Sequence, residues 1–251
     1  IITMSENILI VSNWKMNLNL DNATKLLDNL KKIKLGSKPK VLNIVCPQFL
    51  LIPYVSNLLS STDIILGGQD CHFEDFGSFT GDSSIQLLKY YKCEYVILGH
   101  SERRSQYGET NLMIKKKCEI ARKNKIKPIV CVGESIKLRK KGKHIDFIIN
   151  QLDECIEKNL ENIIVAYEPI WSIGSGLIPS YDEILEVKTK SMNFLKERKG
   201  IKNVKILYGG SVNSENFNDI IQMSGVDGAL IGSASINIKE ITKIILNVDF
   251  N

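Results

Sequence analysis

One carboxylate, Glu168, stands at the end of a short apolar run in the middle of the chain. The run before it, Ile163–Ala166, is rich in β-branched residues and predicts a buried strand. Pro169 and Pro179 enclose the next segment, which we interpret as a mobile lid. The lid comprises Pro169, Ile170, Trp171, Ser172, Ile173, Gly174, Ser175 and Gly176. A carboxylate beneath a lid is suited to proton transfer away from water. Taken alone, the stretch also fits a surface loop with an incidental glutamate.

His100, one of three histidines, follows Gly99 at the end of another apolar run. Ser101 and Glu102 come next and predict the start of a helix. Because a helix N-terminus disfavours a cation, we expect a neutral imidazole at His100. A neutral imidazole can donate a hydrogen bond to a carbonyl oxygen and stabilise an enediolate. A lone histidine is more often a satisfied core residue, but the strand-end position favours chemistry here.

Several groups that bind anions also follow apolar runs. Lys15 and Asn13 follow the first run, although a solvated lysine is the commoner interpretation of Lys15 taken alone. The segments 209–211 (Gly-Gly-Ser) and 232–233 (Gly-Ser) follow the last two runs. Backbone N–H groups at such places commonly bind phosphate, and Gly174 of the lid can supply one more.

These groups must be positioned by eight short strand-like runs that alternate with helix-like segments. The runs are Ile8–Ser12, Val41–Cys46, Ile64–Gly67, Tyr95–Leu98, Pro128–Val132, Ile163–Ala166, Val204–Leu207 and Gly228–Ile231, and the segments include Ala23–Ile33, Leu112–Lys123, His144–Lys158 and Tyr181–Arg198. Consecutive apolar positions are typical of parallel strands buried on both faces. The alternation predicts an α/β fold, a single (β/α)₈ barrel domain over residues 1–251. A doubly wound sheet is the alternative, but the turn after the first run has no glycine.

Composition narrows the classes of partner. The net charge of +5 is mild and gives no strong case for nucleic acid, and no run is long enough to span a membrane. The basic runs 115–117 and 137–143 are interpreted as solvated faces. Six cysteines without a C-x-x-C pair indicate neither zinc nor a redox motif and favour a reducing compartment. Residues 1–7 are interpreted as a tag or leader remnant followed by a flexible N-terminus.

Six motifs resemble those of the triosephosphate isomerase family. They are Asn13–Asn17, Tyr95–Arg104, Cys131–Glu134, Ala166–Trp171, Tyr208–Val212 and Gly228–Gly232. They appear in the family's order and span almost the whole chain. The resemblance implies a TIM barrel enzyme of glycolysis and gluconeogenesis that interconverts dihydroxyacetone phosphate and D-glyceraldehyde 3-phosphate, with no cofactor or metal.

The resemblance also implies a role for each site residue. Glu168 would move a proton between neighbouring carbons, and His100 would act as a neutral electrophile. Lys15 and Asn13 would hold the substrate and offset the charge of the enediolate. The phosphate would be bound by Gly174, Ser211, Gly232 and Ser233, and the supporting residues would be Ser101, Glu102 and Tyr208.

Family resemblance further implies a homodimer in the cytoplasm. The dimer would use the loop from Gln69 to Gly81, whose Thr80 would reach the partner's site. An organellar stroma is the alternative compartment if residues 1–3 are the stump of a transit peptide.

Some lid and phosphate-site residues depart from the family pattern. Ser172 stands where alanine is usual, Ser175 where threonine is usual, and Ser233 where a second glycine is usual. A serine held in left-handed geometry would cost about 1–2 kcal/mol. Ser233 therefore motivates an alternative function, a barrel that binds a phosphate ligand without catalysis. Another sugar-phosphate isomerase is a further alternative, since fold alone does not fix function.

Overall fold

The computed structural model describes residues 7–33 and 40–248. Eight parallel strands form a closed barrel in chain order, and β1 pairs with β8. The strands are β1 (Asn7–Asn13), β2 (Lys40–Cys46), β3 (Ile65–Gly68), β4 (Tyr95–Leu98), β5 (Lys127–Val132), β6 (Asn162–Tyr167), β7 (Asn203–Tyr208) and β8 (Gly228–Ile231). The predicted (β/α)₈ architecture is confirmed.

Both faces of the strands are buried, which explains their consecutive apolar residues. Alternate side chains such as Leu9, Ile97 and Leu207 point into the barrel and pack on one another. The residues between them, such as Ile10 and Val96, pack outward against the helices. Period-two alternation therefore divides each strand between an inner core and an outer one.

Ten α-helices are described. They are α1 (Leu20–Leu30), α2 (Ile52–Leu58), α3 (Ile85–Tyr90), α4 (Ser101–Tyr107), α5 (Asn111–Lys123), α6 (Ile136–Lys140), α7 (His144–Cys155), α8 (Tyr181–Asn193), α9 (Phe217–Ser224) and α10 (Ile238–Leu246). Helix α1 begins earlier than predicted, because the side chain of Asn19 accepts a hydrogen bond from the N–H of Asn22 and caps the helix. The predicted helix up to Arg198 changes to π-helix at Phe194.

Two helix caps bear directly on the predicted site. His100 is the N-cap of α4, so the strand β4 passes straight into a helix through this residue. Ser180 and Glu183 form a capping box at the start of α8, with hydrogen bonds of 3.2 and 2.8 Å. This box fixes the start of α8, shortly after the lid ends at Gly176.

The expectation of a tag or leader remnant followed by a flexible N-terminus concerns residues 1–7, of which the structure describes only Asn7. Residues 1–6 lie outside the described residues, whereas Asn7 is the first residue of β1 and is paired with Lys40. Within 7–33 and 40–248, no helix has the length and apolar character needed to cross a bilayer.

All six cysteines are buried free thiols: Cys46, Cys71, Cys93, Cys118, Cys131 and Cys155. Burial raises the pKa of Cys93 to about 12 and also raises that of Cys46, with the nearby Cys93 adding to the shift. Because the thiolate is the reactive form, these side chains are protected twice, by exclusion of the reagent and by protonation.

We predict that a thiol-specific reagent at pH 8 leaves the native protein unmodified and labels all six cysteines after denaturation. Mass spectrometry of the labelled protein measures the number of modified thiols. Rapid labelling of any cysteine in the native state would show that its surroundings open more readily than the packed barrel implies.

Candidate active site

The C-terminal ends of the strands converge on one cavity of about 580 Å³. Its lining contains most of the residues that the sequence singled out: Asn13, Lys15, His100, Gly174, Ser211, Gly232 and Ser233. Glu168 is not part of this lining, because its side chain lies beneath the surface and is only 1% exposed. The barrel therefore brings together groups from β1, β4, β7 and β8 around a shared space.

Glu168 is held against the N-terminus of α4. Its Oε2 accepts a hydrogen bond of 2.8 Å from the backbone N–H of Ser101. Its Oε1 lies 3.0 Å from Nε2 of His100, but the direction is unsuitable for a hydrogen bond, so we count Oε1 as unpaired among the described residues. A helix N-terminus stabilises an anion, whereas a buried unpaired oxygen is costly. The carboxylate is thus partly satisfied and keeps one oxygen available for chemistry.

The hydrogen bonds of His100 indicate its tautomer. Its Nδ1 accepts from the backbone N–H of Glu102 at 3.3 Å, and Oε2 of Glu102 lies slightly farther away, at 3.5 Å. Since the backbone donor is the nearer group, we assign Nδ1 as the unprotonated nitrogen. Nε2 then carries the proton and lies beside Glu168, which places a hydrogen-bond donor next to a carboxylate.

Lys15 has a strained backbone that its neighbours hold in place. Its φ of 52° lies in the left-handed region, which costs a residue other than glycine about 1–3 kcal/mol. Its N–H donates to Oδ1 of Asn13 at 3.0 Å, and its carbonyl accepts from Nε2 of Gln69 at 2.8 Å. Its ammonium lies 2.5 Å from Oε1 of Glu102. The sequence assigned Gln69 to a dimer loop, but the structure places its side chain directly against Lys15.

Gly133 sets the backbone position of Glu168, a role that the sequence analysis missed. A Cβ at this glycine would lie 1.7 Å from the carbonyl oxygen of Glu168. The N–H of Glu168 also donates to the carbonyl of Val132 at 2.7 Å. The chain segments that follow β5 and β6 therefore approach so closely at Glu168 that no side chain fits at Gly133. Two signals were available, its place immediately after a predicted strand and its presence in the motif Cys131–Glu134.

Glu134 anchors the lid to the barrel and was also missed. Its buried Oε1 accepts from Nε1 of Trp171 at 3.1 Å and from the hydroxyl of Tyr167 at 3.2 Å. Nε of Arg139 lies 3.1 Å from the same oxygen as an ion pair. Burial, with Glu134 nearby, raises the pKa of Tyr167. This cluster holds the N-terminal half of the lid.

Ser172, the residue after Trp171, contacts β7 and the loop after it. Oγ of Ser211 donates to the carbonyl of Ser172 at 2.6 Å. The hydroxyl of Tyr208 lies 3.2 Å from Oγ of Ser172, and burial raises the pKa of Tyr208 to about 12. Gly174, with φ of 67°, and Gly176, with φ of 76°, shape the turn that follows Ser172.

The left-handed geometry considered for Ser233 is wrong. Ser233 begins the short 3₁₀ helix Ser233–Ile236 and is not among the residues with positive φ. Gly232 before it has φ of −87°. Ser233 therefore does not carry the left-handed strain that was considered, and the unusual angle of this turn is the ψ of −108° at Gly232.

Comparisons with known proteins agree on one family. A family model described as triosephosphate isomerase matches residues 8–248. The triosephosphate isomerase of Thermoanaerobacter pseudethanolicus is 36% identical and that of Alkaliphilus oremlandii 38% identical, each alignment covering 94% of this chain and 98% of the relative. The crystal structure of triosephosphate isomerase from Bartonella henselae superposes with a TM-score of 0.83 at 33% identity, covering 94% of this chain and 97% of that chain.

We predict that Gly133→Ala destabilises the fold by about 1–3 kcal/mol, since its Cβ must displace backbone rather than a flexible side chain. Urea unfolding measures the change in free energy. Gly232→Ala is the matched control, because its Cβ would meet Cε of Lys15 at an ordinary 3.5 Å. Equal stability of the two variants would show that the backbone at Gly133 and the backbone at Glu168 separate easily.

Proposed function

This chain belongs to the triosephosphate isomerase family, and on that premise we propose that it interconverts dihydroxyacetone phosphate and D-glyceraldehyde 3-phosphate. The observation that carries the proposal is the pairing of Glu168 with His100, whose Oε1 and Nε2 lie 3.0 Å apart beside the cavity. A base next to a neutral donor can move a proton between two carbons and polarise the oxygens that they bear. The step belongs to glycolysis and gluconeogenesis.

In this proposal Glu168 removes a proton from the carbon beside the carbonyl. The C–H bond breaks, its electron pair forms the enediolate, and the same carboxyl group returns the proton to the neighbouring carbon. Glu168 must first leave the N–H of Ser101, where its Oε2 is held at 2.8 Å. Ser101 therefore supports the base in its resting position, and the burial of Glu168 keeps water from competing for the proton.

His100 acts as the electrophile. Its Nε2–H donates to the carbonyl oxygen while negative charge develops there, and it then shuttles the proton between the two oxygens. The Glu102 N–H on Nδ1 keeps the ring in the required tautomer. A neutral donor suits this task because an imidazole N–H is a weak acid, close in acidity to the enediol hydroxyl with which it exchanges the proton.

Lys15 and Asn13 hold the substrate and offset the charge of the enediolate. The strained backbone of Lys15 directs its ammonium along the cavity wall, where Glu102 orients it. Pre-organisation of this kind costs stability in the resting protein and spares the reaction a rearrangement.

The phosphate is proposed to bind at the end of the cavity formed after β7 and β8. Its donors are backbone N–H groups of Ser211, Gly232 and Ser233, joined by Gly174 of the lid. Backbone N–H groups aimed into one space suit a dianion, since they are fixed by the fold and need little ordering on binding.

The lid, Pro169–Gly176, is proposed to close over this site as one nearly rigid flap. Its own hydrogen bonds support this motion: the N–H of Ser172 donates to the carbonyl of Pro169 at 2.8 Å, and Oγ of Ser175 donates to the carbonyl of Trp171 at 3.0 Å. A flap held together internally can move about its ends without melting.

A coupled assay with D-glyceraldehyde 3-phosphate tests the function directly. We predict robust turnover by the wild-type protein and a loss of about 10²-fold or more in kcat for Glu168→Asp, because the shorter carboxylate sits about 1 Å from the position that transfer requires. Substrate binding should change little, since Glu168 does not line the cavity.

Two results would contradict the proposal. Wild-type protein that binds the triose phosphate without turning it over would be a binding protein on this fold. Full turnover by Glu168→Asp would mean that another group is the base.

We also propose that the protein is a homodimer. The loop from Gln69 to Gly81 carries Phe76, which is 87% exposed, while Phe73 and Phe79 both stack on His72, with ring centroids 4.2 and 3.9 Å away. A loop stiffened by stacked rings and tipped with an exposed phenylalanine is typical of an interaction surface.

A second cleft offers a place for the partner's loop. It measures about 420 Å³, adjoins Lys15, and is lined by residues that include Met16, Gln69, Glu102, Arg103 and Tyr107. Met16 at its edge is 88% exposed. Insertion of the partner's loop, with Thr80 reaching Asn13 and Lys15, would cover the exposed side chain of Met16 and support the strained lysine.

We predict a dimer in sedimentation velocity at micromolar concentration and a shift towards monomer for Phe76→Glu, which places a charge in the proposed interface. Met223→Glu is the control, because Met223 in α9 is 55% exposed and lies outside the loop and the cleft. A monomeric wild-type protein, or equal dissociation of both variants, would contradict the proposed interface.

We propose further that residues 1–251 form one barrel domain and that the protein works in a reducing compartment, the cytoplasm. Six buried cysteines without a disulfide support the compartment. An organellar stroma is the alternative.

A further inference from the structure

The hydroxyl of Ser172 is the junction between the lid and the barrel. Its Oγ lies 2.5 Å from the carbonyl of Leu177, 3.2 Å from the backbone nitrogen of Ser211 and 3.2 Å from the hydroxyl of Tyr208. The residue is 0% exposed, so each of these contacts is made away from solvent. A family member with the usual alanine at this position has no hydroxyl to make them.

The direction of each hydrogen bond follows from the chemistry of the partners. A carbonyl only accepts, so Oγ of Ser172 donates its one proton to Leu177. A backbone N–H only donates, so Oγ accepts from Ser211, and its remaining lone pair accepts from Tyr208. One donor and two acceptors exhaust the capacity of a hydroxyl, and the junction is therefore fully satisfied.

Gly210 makes this close approach feasible. A Cβ at Gly210 would lie 2.2 Å from the hydroxyl oxygen of Tyr208 and 2.8 Å from Oγ of Ser172. The loop after β7 consequently packs its bare backbone against the junction. Lid and loop are fitted to each other at this point.

The junction occupies a group that the substrate needs. The N–H of Ser211 is one of the proposed phosphate donors, yet here it points at Oγ of Ser172. The hydroxyl of Ser211 is also engaged, with the carbonyl of Ser172 at 2.6 Å. A phosphate oxygen that takes the Ser211 N–H must displace Ser172. It can do so because a hydrogen bond to a dianion is stronger than one to a neutral hydroxyl.

We propose that Ser172 is a positioning residue that latches the lid in the described position until a phosphate dianion takes over the N–H of Ser211. This inference rests on the proposed phosphate site. Phosphate binding and release of the lid are then a single event, in which the N–H of Ser211 exchanges one acceptor, Oγ of Ser172, for another, a phosphate oxygen. The internal bonds of the lid, from Ser172 N–H to Pro169 and from Ser175 to Trp171, do not involve the latch and survive the exchange.

The test compares Ser172→Ala with wild type, with inorganic phosphate as the probe. Calorimetry gives its Kd, and competitive inhibition of turnover gives its Ki. We expect Ser172→Ala to bind phosphate about three- to tenfold more tightly, since one neutral hydrogen bond no longer has to be broken first. KM should fall with the phosphate Kd, and kcat should change less.

Ser175→Ala is the matched control within the same lid. Oγ of Ser175 contacts Trp171, Ser172 and Leu177, all in or next to the lid, and the described structure shows no bond from it to β7 or the following loop. Its loss should loosen the lid without freeing the N–H of Ser211, so phosphate affinity should not rise.

Fluorine NMR gives a readout of lid position that does not depend on activity. The chain has two tryptophans, Trp14 and Trp171, so 5-fluorotryptophan labelling gives one signal in the core and one in the lid. We expect phosphate to shift the Trp171 signal in wild type. In phosphate-free Ser172→Ala the signal should already lie nearer the phosphate-bound position.

Three results would overturn the latch. One is an unchanged phosphate Kd in Ser172→Ala while wild type binds phosphate, and another is equal tightening in Ser175→Ala. Absence of phosphate binding to wild type would remove the phosphate site itself and the latch with it. In the first two cases the proposed isomerase and its phosphate site would stand.

Discussion

Closure of the sheet between β1 and β8 is the constraint on which the rest of the structure depends. Leu9 pairs with Gly228 at this seam, and a Cβ on Gly228 would lie 2.0 Å from the carbonyl oxygen of Leu9. The φ of 150° at Gly228 adds a second reason for glycine. Because the seam closes, the carboxyl ends of all eight strands meet at one end of the barrel. Residues as distant in sequence as Asn13 and Gly232 can then share one cavity.

The electrostatics of the site follow from two local structures at the C-terminal ends of the strands, the start of helix α4 and the turn at Lys15. The start of α4 offers an N–H to the carboxylate of Glu168 and another to Nδ1 of His100. One helix terminus thereby stabilises the carboxylate of Glu168 and orients the neighbouring imidazole. Lys15 brings the opposite charge on a strained backbone, which Asn13 and Gln69 hold from either side. Stability is given up at the lysine so that its ammonium faces the cavity before any ligand arrives.

The lid is joined to this framework by two polar clusters of different character. Around Glu134 the contacts come from Trp171, Tyr167 and Arg139, and they are buried and partly ionic. At Ser172 the junction consists of neutral hydrogen bonds, which are easier to exchange. The first cluster is buried and partly ionic and the second is neutral, so the adjacent residues Trp171 and Ser172 join the lid to the barrel through contacts of different strength.

The sequence by itself determined the barrel, the strand positions and the concentration of ionisable groups at strand ends. These features are local: runs of apolar residues, the residue types that follow them, and their order along the chain. Glu168 and His100 could be paired in advance because each ends a strand-like run, and all such ends meet in a barrel. Even the helix starts were roughly placed, although the cap at Asn19 was overlooked.

Only the tertiary structure decided what each of these groups touches. Gln69 contacts Lys15, Gly133 excludes a side chain beside Glu168, and Glu134 binds Trp171 of the lid. Gly133 and Glu134 belong to one of the sequence motifs, but the motif does not say which residues they contact. That Ser233 avoids left-handed geometry likewise depends on how β8 passes into the 3₁₀ helix Ser233–Ile236. The physical reason is range: periodicity reports which face a residue shows, whereas hydrogen bonds and close contacts join residues tens of positions apart through geometry that exists only once the barrel has closed.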